Sequence, residues 1–221
     1  MQVFSRDAYA PPEISPQLRI FIDVFRGTTT LASLLWNKAA RVISARGEVL
    51  LKRLDEGYLL VTEKGPGWRD NSPTLVAREN LSSLNIVHDT GNLTEAIFAN
   101  LDFTEAITAG FVNLSAAAAY AQAGGFKTVE IVRSAHFAEK TPAVEDDSCS
   151  ETLERLLAGN PLKKYPYYHE LEEKIAKRRE SGKFPAHYWA DVNLALARDA
   201  MPVVPKLKPL GPDEILFERA A

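Results

Sequence analysis

Short apolar runs alternate along the chain with longer segments in which apolar residues recur every three or four positions. The runs have the length and composition of strands and cover residues 18–24, 41–45, 58–62, 85–87, 105–109 and 128–133. Helical spacing is found between them, at residues 28–40, 47–54, 93–100 and 113–123. Strands joined by helices imply crossover connections. The pattern therefore predicts an α/β fold with a mainly parallel sheet and helices on both faces.

The composition changes after Gly159. Residues 160–168 are rich in proline, lysine and tyrosine, and helical spacing returns over residues 169–181 and 185–201. Two valines between prolines at positions 202–205 fit either an edge strand or an extended tail. We predict an N-terminal arm (1–17), a sheet domain carrying the site (18–159), and a helical excursion and tail packed on that domain (160–221).

Composition and charge restrict the class of protein. The 221 residues are 46% hydrophobic and 25% charged, which is typical of a globular domain with its own core. A formal net charge of -3 argues against a nucleic-acid partner. Cys149 is the single cysteine, and neither a signal peptide nor a membrane-spanning run is present, so the sequence predicts a cytoplasmic protein that does not enter membranes. The oligomeric state, including a homodimer, stays open.

Polar residues follow several of the predicted strands, where ligands bind in open α/β sheets. Residues 26–30 (RGTTT) combine a guanidinium, a glycine and hydroxyls at a helix start, as an anion cradle requires. Thr28 as a helix cap and Arg26 as a surface charge would also explain this segment. Ser72 followed by Pro73 has the same ambiguity, because it is ordinary punctuation at the start of a helix.

A run of carboxylates at residues 145–147 precedes a helix predicted over residues 149–157. Ser148 and Glu151 have the spacing of a capping box, and acidic residues stabilise a helix N-terminus, so the run needs no catalytic role. Alternatively, the run could join Asp23 and Glu63 as oxygen ligands for Mg²⁺. The sequence leaves both interpretations open.

Several catalytic signatures are absent from the sequence. The segment from Cys149 to Arg155 has no glycine and cannot form the loop of a cysteine-dependent phosphatase. Asp23 is followed two residues later by Phe25, where an aspartyl-nucleophile phosphatase has its general acid. The four histidines lack zinc-protease spacing, and no Walker, dinucleotide-binding or serine-hydrolase motif occurs. His88 and His136 follow predicted strands and are the two histidines placed to reach a ligand.

Five segments in order resemble the 2-phosphosulfolactate phosphatases. The similar segments are residues 22–30 (IDVFRGTTT), 67–73 (GWRDNSP), 110–113 (GFVN), 145–149 (EDDSC) with the later Gly159, and 202–205 (PVVP). They are similar to the family's Asp-x-x-Arg-Ala-Thr-Thr-Thr, Gly-Phe-x-x-Gly-Asn-Ser-Pro, Gly-Ser-x-x-Asn, Glu-Asp-x-x-Cys-Ala-Gly and Val-Val-Pro. The resemblance covers residues 18–207.

The resemblance implies a Mg²⁺-dependent enzyme of coenzyme M biosynthesis that hydrolyses the phosphate monoester of a small acidic hydroxy acid. Carried over to this chain, it implies Asp23, Glu145 and Asp146 as metal ligands, Asp23, Arg26 and Glu145 as catalytic residues, and Thr28, Thr29, Thr30, Asn71, Ser72 and Asn113 as substrate-binding residues. The expected partner is a small-molecule phosphate ester.

The chain departs from the family at three of these loops. Residues 88–94 (HDTGNLT) replace Thr-Thr-Asn-Gly-Thr and add a carboxylate, residues 62–64 (TEK) replace Gly-Glu-Arg, and residues 133–136 (RSAH) replace Cys-Ala-Gly. These changes suggest a changed substrate, or a diverged non-catalytic protein that binds phosphate or sulfonate. A third hypothesis is a scaffold that docks partners through aromatic residues of the excursion, namely Tyr165, Tyr167, Tyr168, Tyr188 and Trp189.

Overall fold

The computed structural model describes residues 1–63, 69–162 and 164–220. Its strands are β1 Gln2–Asp7, β2 Leu18–Ile22, β3 Arg41–Ala45, β4 Leu59–Thr62, β5 Arg69–Asp70, β6 Asn85–His88, β7 Glu105–Ala109, β8 Thr128–Arg133, β9 Pro205–Gly211 and β10 Glu214–Arg219. Its helices are α1 Gly27–Trp36, α2 Gly47–Asp55, α3 Pro73–Val76, α4 Leu93–Phe98, α5 Leu114–Ala123, α6 Val144–Leu157, α7 Tyr168–Glu180 and α8 Ala186–Ala195, and a 3-10 turn, Phe111–Asn113, precedes α5. None of these helices combines the length and apolar character that a membrane crossing requires.

The strands form one sheet in the order β1-β8-β2-β7-β9-β10-β3-β6-β4-β5. Pairing is parallel within β1-β8-β2-β7 and within β3-β6-β4-β5. The hairpin of β9 and β10 joins these two halves through antiparallel pairs on both sides. The α/β class with a mainly parallel sheet is therefore confirmed.

The antiparallel pairings around the hairpin reverse the direction of the second half relative to the first. Six pairings separate β2 from β4, and a twist of about 20–25° per strand accumulates over them to about 120–150°. This twist turns the carboxyl ends of the two halves back toward each other. The carbonyl of Asn71, after β5, accepts a hydrogen bond from Thr30 Oγ1 in α1 at 3.3 Å, so the two ends meet beside α1.

Helices cover both faces of the sheet. On one face, α1 and α4 pack against residues from both halves, including Phe21 of β2, Val61 of β4 and Ile215 of β10. On the other face, α5 and α6 cover the first half, and α2 covers β3 and β6. Because α1 lies against both halves, its N-terminus faces loops from distant parts of the chain.

Both ends of the chain contribute strands that the sequence patterns did not predict. Residues 2–7, assigned to an arm, pair with β8 as an edge strand. Val203 and Val204 are not a strand, so the edge-strand alternative was wrong, and the residues after them form the central hairpin. Proline is tolerated in β9 because Pro205 is its first residue and β7 pairs only with Lys206 and Leu207.

Two helix starts differ in outcome. The helix predicted over residues 149–157 begins at Val144, with Ala143 as its N-cap, so Ser148 and Glu151 lie inside the helix and the capping box does not form. Ser72 does cap α3, because its hydroxyl accepts from the amide of Leu75 at 3.2 Å.

Residues 64–68 lie outside the described residues, and with them Lys64, Gly67 and Trp68 of the family-like segments.

Candidate functional site

Asp23 lies directly after β2 and is 5% exposed. The backbone of Gly27 approaches so closely that a Cβ there would lie 2.6 Å from Asp23 Oδ2. Burial, together with the charges of Glu63 and Glu145, raises the pKa of Asp23 to about 7, although hydrogen bonds from the amides of Gly27 and Leu93 act to lower it. A carboxyl group in this position is well suited to a ligand that brings positive charge.

Glu63, after β4, is the strongest like-charged neighbour of Asp23. Its Oε1 accepts a hydrogen bond from Asn71 Nδ2 at 3.1 Å, and its Oε2 accepts from the amide of Gly91 at 3.4 Å. Asn71 Oδ1 in turn lies 3.1 Å from His88 Nε2. Three loops of the second half of the sheet therefore hold this carboxylate beside Asp23.

Asp146 and Glu145 lie in the first turn of α6 and are both buried. Asp146 accepts from the amides of Val24 at 2.8 Å and Ala135 at 3.0 Å, so each of its oxygens ties one strand-end loop to the helix. Burial, followed by the charges of Asp23 and Glu145, raises the pKa of Asp146 well above its usual range. Glu145 forms an ion pair with Lys174 of α7.

Arg26 precedes α1, and two carboxylates hold its guanidinium. Its Nη1 donates to Asp191 Oδ2 at 2.7 Å, and its Nη2 lies 3.1 Å from Asp70 Oδ1. The ring of Tyr188 lies 5.3 Å from the guanidinium carbon. The predicted anion-binding arginine is therefore at the site, but it is partly neutralised by the protein itself.

The helical excursion supplies a wall of the site that sequence reasoning missed. Lys174 and Arg178 of α7 reach Glu145 and the hydroxyl of Tyr188, and Asp191 of α8 reaches Arg26. Charged residues on a helix resemble a solvated face in sequence. The burial of Asp191, which is 0% exposed, becomes evident only in the fold.

The six predicted substrate-binding side chains are all buried, and the protein already uses their polar atoms. Hydroxyl groups donate from Thr28 to Asp23 O, from Thr29 to Val24 O, from Thr30 to Asn71 O and from Ser72 to Asp191 Oδ1. Asn113 donates to Val203 O and accepts from the amide of Gly110. These contacts hold the loops in place.

The predicted metal ligands do not form a complete cage. Within residues 1–63, 69–162 and 164–220, no three His, Cys, Asp or Glu side chains converge closely enough to hold a metal ion. The triad of Asp23, Glu145 and Asp146 is therefore not preassembled, because backbone amides occupy Asp146 and Lys174 occupies Glu145.

Known proteins resemble this chain over most of its length. A sequence profile of the family described as 2-phosphosulpholactate phosphatase matches residues 6–209. A protein of Thermotoga petrophila named "Probable 2-phosphosulfolactate phosphatase" is 37% identical over 107 residues, which are 46% of this chain and 47% of that protein. Proteins of the same name from Gloeobacter violaceus and Thermoplasma acidophilum are 28% and 27% identical over 67% and 71% of this chain and 66% and 73% of their own lengths. The match spans about half the length of the Thermotoga relative.

Proposed function

The chain belongs to the 2-phosphosulpholactate phosphatase family, and from that premise we propose that it is a Mg²⁺-dependent phosphatase acting on a small acidic hydroxy acid phosphate. The expected substrate resembles 2-phosphosulfolactate, as in coenzyme M biosynthesis. In the reaction, water adds to phosphorus, the ester P–O bond breaks, and the leaving oxygen takes up a proton. The observation that carries the proposal is the buried Asp23 carboxyl group, which lies against Gly27 and is subject to the charges of Glu63 and Glu145. Arg26 lies three residues further along the same loop, and Lys174 pairs with Glu145.

Asp23 and Glu63 are the proposed metal ligands. Burial and like charge disfavour the ionised form of Asp23, which a divalent cation would reverse. Mg²⁺, when bound, supplies a Lewis acid that neutralises charge on the phosphoryl oxygens. Glu145 and Asp146 support the site from α6, by the ion pair with Lys174 and by the two backbone ties.

Cationic side chains from two elements are available to a phosphate group. A guanidinium has five N–H donors, and the contacts of Arg26 with Asp191 and Asp70 use two of them among the described residues. The others could donate to phosphoryl oxygens. Lys174 and Arg178 approach from α7, and the Lys174 side chain is 21% exposed. Together they can hold an anion above the carboxylates.

One observation favours the alternative, a non-catalytic protein that binds phosphate or sulfonate. Asp191 and Asp70 already pair with Arg26, which weakens its attraction for a highly charged ester. A binding protein would tolerate this loss, whereas a phosphatase needs the guanidinium to stabilise charge in the transition state.

Release of inorganic phosphate tests the proposal. The protein is incubated with a panel of phosphate monoesters that includes 2-phosphosulfolactate, with Mg²⁺ or with a chelator. Metal-dependent release that is abolished by Asp23→Asn and Glu63→Gln is expected, and the exposed variant His169→Gln serves as a control. Thermal stabilisation by phosphate or sulfonate without any release would instead favour the binding protein.

A further inference from the structure

His88 ends β6 and is fully buried, and it forms no ion pair with any residue that the structure describes. Its carbonyl accepts the hydroxyl of Ser44 at 2.6 Å, and its Nε2 lies 3.1 Å from Asn71 Oδ1. The other ring nitrogen, Nδ1, has no hydrogen-bond partner among the described residues. Within the described part of the chain, Asn71 is therefore the hydrogen-bond partner that links the imidazole to the site.

The surroundings select one tautomer of His88. If Nε2 carries the proton, it donates to Asn71 Oδ1, and Asn71 Nδ2 can donate to Glu63 Oε1. In the other tautomer, a buried N–H at Nδ1 finds no acceptor among the residues that the structure describes. The Asn71 amide must also turn, so that its oxygen lies against the Glu63 carboxylate. An orphaned buried donor and a contact between two acceptors are both costly. Burial also lowers the pKa of His88 to about 3, so the ring is neutral.

Glu63 is exposed, yet each of its carboxylate oxygens accepts a hydrogen bond. It is an exposed residue, whereas Asn71 and His88 are 0% exposed. An exposed glutamate normally keeps much of its rotamer freedom, and ordering it costs entropy. Here the amide of Gly91 and the side chain of Asn71 fix one carboxylate oxygen each. A buried network that orders an exposed carboxylate points to a role for that carboxylate beyond folding.

We propose that His88 is a positioning residue that fixes the orientation of Asn71 and, through it, the orientation of the Glu63 carboxylate. Because Glu63 acts here as a metal ligand, the role of His88 rests on the proposed function. Groups that orient ligands in this way commonly change metal affinity by about 10- to 100-fold when they are removed.

Two measurements test the role of His88. In metal-free protein, the ¹⁵N shifts of the imidazole report its tautomer, and we expect the proton on Nε2. Binding of Mn²⁺, followed by the loss of its free EPR signal, is then compared in wild type, His88→Gln and His88→Leu. The glutamine keeps a donor for Asn71, whereas the leucine does not. We expect about tenfold weaker binding in His88→Leu and near-normal binding in His88→Gln.

A double-mutant cycle separates positioning from general damage. In a Glu63→Gln background, His88→Leu should change Mn²⁺ affinity no further. Circular dichroism identifies variants that fail to fold, and His169→Leu on the exposed face of α7 is the matched control. A proton on Nδ1, equal weakening in both His88 variants, or an additive effect with Glu63→Gln would each overturn the role of His88. A wild-type protein that takes up no Mn²⁺ would overturn the metal site itself, which is a different result.

Discussion

The Asp191 carboxylate and the Arg26 guanidinium meet at 2.7 Å although 165 positions separate them in the chain. Asp191 is fully buried, and it also accepts hydrogen bonds from the hydroxyls of Ser72 and Thr74. This one side chain therefore joins α8 to the start of α1 and to the start of α3. The helical excursion is part of the site, because it supplies one of the two carboxylates that hold the Arg26 guanidinium.

Replacing Asp191 by asparagine should destabilise the protein strongly. The change leaves the guanidinium of Arg26, whose side chain is 11% exposed, without one of its two carboxylates, and breaking such a pair costs about 3 kcal/mol or more. Asp213→Asn is the control, because the Arg46–Asp213 pair is exposed, and its loss should cost less than about 1 kcal/mol. Urea unfolding measures both free energies. Equal losses in the two variants would contradict the central place of Asp191.

Asp23→Asn should stabilise the metal-free protein and remove its response to Mg²⁺. The asparagine is neutral, so the burial and like-charge repulsion that raise the pKa of Asp23 no longer oppose folding. We expect a gain of about 1–3 kcal/mol at pH 8 with a chelator present, while Mg²⁺ raises the Tm of wild type alone. Asp55→Asn on the exposed end of α2 should change neither quantity. A Tm that rises equally with Mg²⁺ in wild type and Asp23→Asn would argue against Asp23 as a ligand.

His88 should make the protein less stable as the pH falls. Burial lowers the pKa of His88 to about 3 from a usual 6.5. Between these values the unfolded chain binds a proton that the folded chain does not, so stability is complete above pH 6.5 and is lost toward pH 3. The loss approaches about 1.4 kcal/mol per pH unit.

His88→Gln does not titrate and therefore isolates this effect. As the pH falls from 6.5 to 4.5, wild type should lose up to about 1.4 kcal/mol of unfolding free energy per pH unit through His88, and His88→Gln should not. Every other titrating group is shared, so the wild-type free energy of unfolding minus that of His88→Gln should fall by this amount. Urea unfolding at one-unit intervals of pH provides the measurement. Parallel pH profiles for the two proteins would mean that the imidazole is charged, or equally accessible to protons, in the folded state.

Gly27→Ala should displace the Asp23 carboxylate, because the added methyl group would clash with it. A Cβ at this position would lie 2.6 Å from Asp23 Oδ2 and 2.9 Å from Leu93 Cβ. We expect a loss of about 1–3 kcal/mol together with weaker Mg²⁺ binding, because the Asp23 carboxylate must move. Gly211→Ala meets nothing within 4 Å and should stay within about 0.5 kcal/mol of wild type. Unchanged Mg²⁺ affinity in Gly27→Ala would show that Asp23 does not need its observed position.

Much of the fold could be predicted because parallel strands carry a strong apolar signal. β3 and β7, at residues 41–45 and 105–109, have the predicted bounds. The sequence patterns did not predict β1 or β9. Gln2–Asp7 is polar along much of its length, and Pro205–Gly211 contains prolines and lysines, which argue against a central strand. The pairing of β9 with β7 depends on long-range contacts, which local patterns do not encode.

Prediction of the site was limited in the same way. Position after a strand identified Asp23, Arg26 and Asp146, which the fold brings to one edge. The same rule could not tell that Asp146 binds backbone amides, or that the hydroxyl of Thr28 donates to a carbonyl. Asp191 and Lys174 could not be found from local patterns. The partner of Asp191, Arg26, lies 165 positions away, and the partner of Lys174, Glu145, lies 29 positions away.

The central hairpin also affects how the protein is made. On the ribosome, β7 and β3 emerge long before residues 205–219, and each is left with an open edge until the hairpin arrives between them. Open edges of this kind are templates for pairing with other chains. Nascent chains that lack the hairpin therefore present both edges for pairing with other chains, and synthesis of residues 205–219 closes the sheet.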